Sequence, residues 1–170
     1  GRIQPKTQVE ITSEINGEII DLEVKEGQYV EAGDILVVLD TVQIKADVQQ
    51  ARYSLDESRA RMNGAKATFD QAKEEFDRQQ RLFDQDLTSE TAFRDARYAY
   101  LNAEASYESA QATTRRLEAA YDKQLDYLSK AKIVAPMTGV ISFLDCEVGE
   151  IAAAQTSFPQ GKTLMIISDL

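Results

Sequence analysis

The sequence predicts an α+β protein in which a β-domain, assembled from both ends of the chain, is interrupted by a long antiparallel helical hairpin. Three observations support this prediction. Pro and Gly are concentrated near the two ends, a seven-residue apolar repeat occupies the middle, and the two ends carry one motif twice. We therefore expect a discontinuous β-domain in residues 1–41 and 132–170 and a helical hairpin in residues 42–131.

The first half of the predicted β-domain is rich in Val, Ile and Leu and is broken by Gly, which is typical of short strands joined by tight turns. Its motif runs from Ser13 through Gly17 to Gly27, and Gly33 then precedes an apolar stretch at 35–39. A few short strands are only marginally stable in water. This half is therefore expected to fold together with its counterpart.

The middle segment favours helix, because between Thr41 and Ala131 it contains no Pro, a single Gly and many Ala, Gln, Glu, Asp and Arg residues. Apolar side chains recur every seven positions, which predicts two helices packed as a coiled coil. The row in the first helix is Val48, Leu55, Met62, Phe69, Phe76 and Phe83. The row in the second is Phe93, Tyr100, Tyr107, Thr114, Tyr121 and Leu128.

The break between the two helical patterns is short, so the helices must run antiparallel. Asp84 to Asp86 are expected to form the turn. Either Thr88 or Ser89 is expected to be the N-cap of the second helix, with Glu90 near the positive end of its dipole.

The second half of the β-domain repeats the first, and in both copies the first two glycines are ten residues apart. The second copy carries a six-residue insertion around residues 154–158. One matched position predicts that the single cysteine is a buried small apolar residue rather than a reactive thiol. The matched pairs are Gly17 with Gly139, Leu22 with Leu144, Val24 with Cys146, and Gly27 with Gly149.

Composition excludes many functions. The chain has no His and one Cys, which removes His-based triads, the common zinc motifs, redox Cys pairs and an internal disulfide. Its net charge of −10 disfavours nucleic acid as a partner. No convergent set of acid, base and nucleophile is present, so we expect no enzyme activity, no cofactor and no metal.

The two half-motifs around a heptad hairpin resemble the periplasmic adaptors, or membrane fusion proteins (HlyD-like), which link inner-membrane pumps to outer-membrane exit channels. The stretch 133–139, Ile-Val-Ala-Pro-Met-Thr-Gly, is similar to the family's opening of the second half-motif. The resemblance covers essentially the whole chain. It implies a lipoyl-like barrel-sandwich hybrid, split by the hairpin where carrier domains hold their modified lysine.

The predicted hairpin tip carries the most specific match to the family. The family pattern is Arg, three residues, Leu, six residues, Ser, and Arg78, Leu82 and Ser89 have this spacing. The resemblance implies that these residues dock on a TolC-like outer-membrane channel. From the residues alone, Arg78 is also compatible with a solvated helix charge, Leu82 with an end plug of the seam and Ser89 with an N-cap.

Within the family, the hairpin length, the run 78–82 and the run 153–155 are similar to MacA-type adaptors of ABC transporters. That similarity implies a hexamer with a loop glutamine as a central gate. Gln155 is the first candidate and Thr156 the second, against the alternative of an ordinary loop amide. It also implies a periplasmic location, with an inner-membrane anchor and further domains outside these 170 residues. An RND pump or a type I secretion system is the alternative partner, and the isolated chain is expected to be monomeric or weakly associated.

Two other functions compete with the adaptor. A lipoyl or biotin carrier needs an exposed lysine between the halves, but Lys45 lacks the usual Asp-Lys-Met or Met-Lys-Met context and is expected to be a solvated helix charge. A purely structural coiled-coil scaffold predicts no specific outer-membrane partner. The adaptor reading predicts binding that is lost when the tip is altered.

Overall fold

A computed structural model describes residues 7–154 and 162–169. Within them the chain forms eight β-strands and two long helices, which confirms the predicted α+β fold with its inserted hairpin. The elements in chain order are β1 (Gln8–Ile11), β2 (Gly17–Leu22), β3 (Tyr29–Val30), β4 (Ile35–Leu39), α1 (Val42–Asp84), α2 (Glu90–Lys130), β5 (Lys132–Val134), β6 (Gly139–Leu144), β7 (Ile151–Ala152) and β8 (Met165–Ser168).

The chain divides into two compact units. One contains the described residues up to Val48 and from Gln124 onward, and the other is Gln49–Lys123. The boundary lies inside the two helices rather than at their ends, because Ile44 near the start of α1 packs against the core of the β-domain. No helix in the described part of the chain combines the length and apolarity that a membrane crossing requires.

The β-domain consists of two antiparallel four-stranded sheets, ordered β1-β8-β6-β3 and β5-β4-β2-β7. Each sheet contains two strands from each end of the chain. The repeated unit is longer than the sequence indicated, because β1 and β5 take equivalent edge positions beside β8 and β4. Since neither half has a complete sheet of its own, the expectation that the halves fold together is met.

The backbone hydrogen bonds between the halves are related by a pseudo-twofold axis. Gly27 N–H donates to the carbonyl of Ile141 at 2.8 Å, and the matched Gly149 N–H donates to the carbonyl of Ile19 at 2.8 Å. Both glycines have a positive φ, 84° and 94°, which a residue with a Cβ rarely adopts. The two glycines therefore have the same structural role in the two copies of the repeat.

The core lies between the two sheets and is filled from both halves. Val24 and Cys146 are each 5% exposed, as their match in the repeat predicts. Burial raises the pKa of the Cys146 thiol, and the nearby charge of Glu150 adds to this. The fully buried large residues are Ile19, Val30, Leu36, Val37, Leu39, Ile141, Met165 and Ile167.

The β-domain also brings together the chain segments that flank the two helices. Leu39 N–H donates to the carbonyl of Ala131 at 2.8 Å, and Val38 pairs with Lys132. At the start of α1 the N–H of Val42 donates to Oδ1 of Asp40 at 3.0 Å. The antiparallel hairpin thus begins and ends on adjacent strands.

In the second unit the heptad rows form the seam between α1 and α2. Its distal half is a continuous ladder of six stacked rings that alternate between the helices, with centroids 4.7 to 5.7 Å apart. The seam also contains a buried hydroxyl pair, Ser58 Oγ and Thr114 Oγ1, 2.8 Å apart. The ladder runs Tyr107, Phe69, Tyr100, Phe76, Phe93, Phe83.

Candidate functional site: the hairpin tip

The tip of the hairpin is a tight turn in which the backbone N–H groups of residues 85–87 donate back to the end of α1. Leu87 N–H donates to the carbonyl of Leu82 at 2.7 Å, and Asp86 N–H donates to the carbonyl of Phe83 at 3.0 Å. Asp86 has a φ of 57°, in the left-handed region. These features define a Schellman motif, in which Asp86 takes the position that usually belongs to glycine.

The turn differs in extent from the expected one. Asp84 still belongs to α1, so the connection is 85–89 rather than 84–86. Of the two N-cap candidates, Ser89 is the cap, since its Oγ accepts the N–H of Ala92 at 3.1 Å. Thr88 instead donates from Oγ1 to Oε1 of Gln79 at 2.9 Å, which ties the turn to the last turns of α1.

Asp86 makes this turn a direct test of local strain. A non-glycine residue in the left-handed conformation costs roughly 1 kcal/mol, so Asp86→Gly is expected to stabilise the hairpin by about 0.5–1 kcal/mol. Ser89→Ala should destabilise it by about 1 kcal/mol through loss of the N-cap. Urea unfolding followed by far-UV circular dichroism measures both, and a destabilising Asp86→Gly would contradict the assigned turn.

The three predicted tip residues lie at the ends of the two helices. Arg78 and Leu82 are one helical turn apart near the end of α1, and Ser89 immediately precedes α2. Arg78 forms an ion pair with Glu75 and its side chain is 62% exposed. Leu82 is only half-buried, and Ser89 is exposed.

Leu87 is a tip residue that the sequence pattern did not identify. It is 67% exposed, while its backbone is fixed by the hydrogen bond to Leu82. The available signal was an isolated leucine within an otherwise polar turn. The tip therefore presents an apolar side chain on a backbone fixed by hydrogen bonds, which suits a protein–protein contact better than chemistry.

The other candidates from the sequence give no second site. Gln155 and Thr156 lie outside the described residues. Lys45 is exposed in the first turn of α1, where its N–H donates to the carbonyl of Thr41 at 2.8 Å. In the described ranges, no cluster of three or more His, Cys, Asp or Glu residues has the arrangement to hold a metal ion.

Comparison with solved structures supports the fold. The chain superposes on MacA from Actinobacillus actinomycetemcomitans with a TM-score of 0.88 and 23% identity, covering 98% of this chain and 51% of that one. A MacA–MexA chimera containing the Pseudomonas aeruginosa MexA α-hairpin superposes with a TM-score of 0.52 and 24% identity, covering 98% of this chain and 48% of the chimera. The soluble domain of LipC, a membrane fusion protein of a type I secretion system, superposes with a TM-score of 0.57 and 12% identity, covering 96% of this chain and 100% of the LipC domain.

These identities establish a shared fold and no more, and the chain spans about half the length of the MacA structure. No curated protein sequence matches the chain. The family comparison is decisive, because the model described as "RND MFP, barrel-sandwich hybrid domain" matches residues 7–161. That match covers most of the chain, including β1 to β7 and the two helices. The chain therefore belongs to the membrane fusion protein family, of which it contains the barrel-sandwich hybrid domain with its helical hairpin.

Proposed function

We propose that the chain is the channel-facing part of a periplasmic adaptor in a tripartite efflux or secretion system. It would bridge an inner-membrane ABC-type transporter to a TolC-like outer-membrane channel, with the hairpin tip docking on the channel. The work is mechanical, since the chain forms part of a conduit wall and the energy is consumed by the pump. Membership of the membrane fusion protein family supports the adaptor role.

The observation that carries the docking proposal is the construction of the tip. Leu87 is exposed on a turn that is held by the Schellman hydrogen bonds to α1 and is followed by the Ser89 cap of α2. Because the backbone of Leu87 is already fixed, binding costs little backbone entropy there, which favours its use as an anchor. Arg78 lies near the end of α1 and supplies a charge that can donate several hydrogen bonds.

A single tip offers little contact area, so affinity would come from several copies acting together. This is the reason to propose a homo-oligomer, a hexamer by the MacA-type resemblance. Gln155, or Thr156 beside it, remains the proposed gate in that ring. We also propose a periplasmic location, with the membrane anchor and the transporter contacts in parts of the protein outside these 170 residues, as the same resemblance implies.

The transporter class has a second candidate. The matching family model carries the description RND, which favours an RND pump, whereas the similarity to MacA favours an ABC transporter. Co-purification of the longer protein with each transporter class, after cross-linking in cells, distinguishes them. Recovery with an RND pump alone would overturn the ABC assignment and leave the adaptor role intact.

Channel binding tests the proposed function. With a purified TolC-like channel immobilised at high density, Leu87→Asp and Arg78→Asp are each expected to weaken binding at least about tenfold, because a desolvated anchor or charge is lost. Leu87→Asp is preferable to Leu82→Asp, because Leu82 is half-buried and its loss would also affect folding.

The matched control is Arg52→Asp, an exposed arginine on α1 far along the chain from the turn. It makes the same charge change as Arg78→Asp and should leave binding within about twofold, since exposed charges more than a Debye length away are screened. Equal losses for Arg52→Asp and Arg78→Asp, with folding intact, would refute docking through the tip.

A further inference from the structure

A series of side-chain hydrogen bonds connects the hairpin turn to Arg78. Thr88 donates from Oγ1 to Oε1 of Gln79 at 2.9 Å, and Gln79 donates from Nε2 to Oε1 of Glu75 at 2.9 Å. The other carboxylate oxygen of Glu75, Oε2, accepts a hydrogen bond from Nη2 of Arg78. We call Thr88, Gln79 and Glu75 the relay. It links the residue before the Ser89 cap to the charged residue of the predicted docking pattern.

The hydrogen-bonding capacity of each group fixes the direction of the relay. An ionised carboxylate only accepts, so Glu75 must face the NH2 group of the Gln79 amide. The amide oxygen then faces the other way, and the Thr88 hydroxyl must donate to it. Turning the amide over would place its oxygen against the carboxylate, where neither group can donate. The relay therefore has a single arrangement in which every contact joins a donor to an acceptor.

Gln79 occupies a position where packing alone would favour an apolar residue. It ends a second seam row of α1, whose earlier members are all apolar or small and recur every seven residues. A half-buried polar side chain on such a row costs stability unless it is hydrogen-bonded. Gln79 is half-buried, and it meets this requirement through Thr88 and Glu75. The row is Ile44, Ala51, Ser58, Ala65, Ala72 and Gln79.

An ion pair on the surface of a helix does not order an arginine by itself. Exposed pairs contribute little, since two long side chains lose entropy and water screens the charges. Arg61 and Glu57 form such a pair on the same helix, and among the described residues the Glu57 carboxylate has no further hydrogen-bond partner. Glu75 differs because Gln79 holds its second oxygen. The Glu75 carboxylate therefore cannot turn away from Arg78 without breaking that bond.

We propose that the relay orients the Arg78 guanidinium for docking on the channel, with Gln79 and Thr88 as positioning residues. One N–H group of the guanidinium donates to Glu75, and the others have no acceptor within the described part of the chain. They are therefore available to carbonyl or carboxylate oxygens of the partner. Because the side chain is already ordered, binding costs less rotamer entropy. This inference rests on the proposed function and deepens it, since it says how the docking charge is held.

NMR relaxation of the arginine side chains tests the relay without the channel. In the unaltered chain, the order parameter of the Arg78 Nε–Hε bond is expected to exceed that of Arg61 by at least about 0.1. Thr88→Val keeps the shape of the side chain but removes the hydroxyl. It should lower the Arg78 order parameter to the Arg61 level and leave Arg61 unchanged. Thr88→Ser retains the hydroxyl and should preserve the Arg78 value.

Gln79→Met removes the amide at the centre of the relay. Methionine is a straight-chain residue with a similar helix propensity, so α1 should be maintained, which circular dichroism checks. The Arg78 order parameter should fall as it does in Thr88→Val. Gln71→Leu is the matched control, since Gln71 is exposed on the same helix about two turns before Gln79 and takes no part in the relay. It should leave the Arg78 order parameter unchanged.

Channel binding tests whether this orientation matters for docking. On the immobilised TolC-like channel, Thr88→Val is expected to weaken binding about fivefold, whereas Thr88→Ser should stay within about twofold of the unaltered chain. In an Arg78→Ala background, Thr88→Val should have no further effect, because the relay acts through Arg78 alone. A purely structural role of Thr88 in the turn predicts the same loss in both backgrounds.

Three results would overturn the relay. The first is an Arg78 order parameter that stays high in folded Thr88→Val and Gln79→Met. The second is an equal loss of binding from Thr88→Val with and without Arg78. The third is no loss from Thr88→Val when Arg78→Ala does weaken binding. Failure of the proposed function gives a different pattern, in which Arg78→Ala leaves channel binding unchanged while the order parameter still falls in both relay variants.

Discussion

Replacing Gly139 by alanine is expected to destabilise the β-domain by about 3 kcal/mol or more. A Cβ at this position would lie 2.6 Å from the carbonyl oxygen of Ser168 and 2.8 Å from Cγ2 of Ile167. These atoms belong to β8, which is paired with β1 on one side and β6 on the other. The backbone of β8 therefore cannot move away from the added methyl group.

Gly17 is the matched control for Gly139, because the two occupy the same place in the repeat. A Cβ at Gly17 would come no closer than 3.3 Å to Cβ and Cδ1 of Leu39, so a shift of a few tenths of an ångström relieves the contact. Gly17→Ala should therefore cost only about 1 kcal/mol. Amide hydrogen exchange measures both variants, in β6 and β8 for Gly139→Ala and in β2 and β4 for Gly17→Ala, and similar losses of protection would contradict the packing described for Gly139.

Truncation of the central ring of the aromatic ladder is expected to have the second large effect. Phe76 stacks on Phe93 at 5.7 Å and on Tyr100 at 5.2 Å. Phe76→Ala should lower the free energy of unfolding of the hairpin by about 3 kcal/mol, because it removes two ring contacts and leaves a cavity in the seam.

Tyr53→Ala is the control for this truncation, since Tyr53 is on the same helix, is 64% exposed and is not one of the six rings of the ladder. It should change the free energy of unfolding by no more than about 0.5 kcal/mol. Urea unfolding followed by far-UV circular dichroism compares the two variants. Equal midpoints would mean that the stacked rings do not stabilise the distal hairpin.

Much of this fold could be predicted because periodicity and repetition are global properties of the sequence. Heptad rows predict two packed helices whichever apolar residue occupies each position, and the matched glycines predict a repeat. Gly27 and Gly149 could be paired in advance from their equal spacing in the two copies, and their positive φ values explain why both are glycine. The burial of Cys146 followed from the same match.

What the sequence did not reveal depends on local geometry. A heptad row does not say which ring meets which, so the alternation of Phe69, Tyr100 and Phe76 in one stack appears only in the structure. The turn begins one residue later and ends three residues later than predicted, because the left-handed conformation that ends α1 falls on Asp86, which carries no glycine signal. Leu87 was missed at the tip because its exposure follows from that turn and not from any spacing.

The interleaving of the strands has a consequence for biosynthesis. Strand β3 pairs with β6, and the outer neighbour of β2 is β7. Both β6 and β7 follow α1 and α2 in the chain, so they leave the ribosome only after about ninety helical residues. The helical segment is thus complete while β1 and β3 have no partner and the β2–β4 pair lacks both of its outer neighbours. Assembly of the β-domain must wait for the C-terminal half, and non-local pairing of this kind slows folding and exposes unpaired strands to aggregation. During this interval the unpaired N-terminal strands of the nascent chain are a substrate for a chaperone that binds exposed strands.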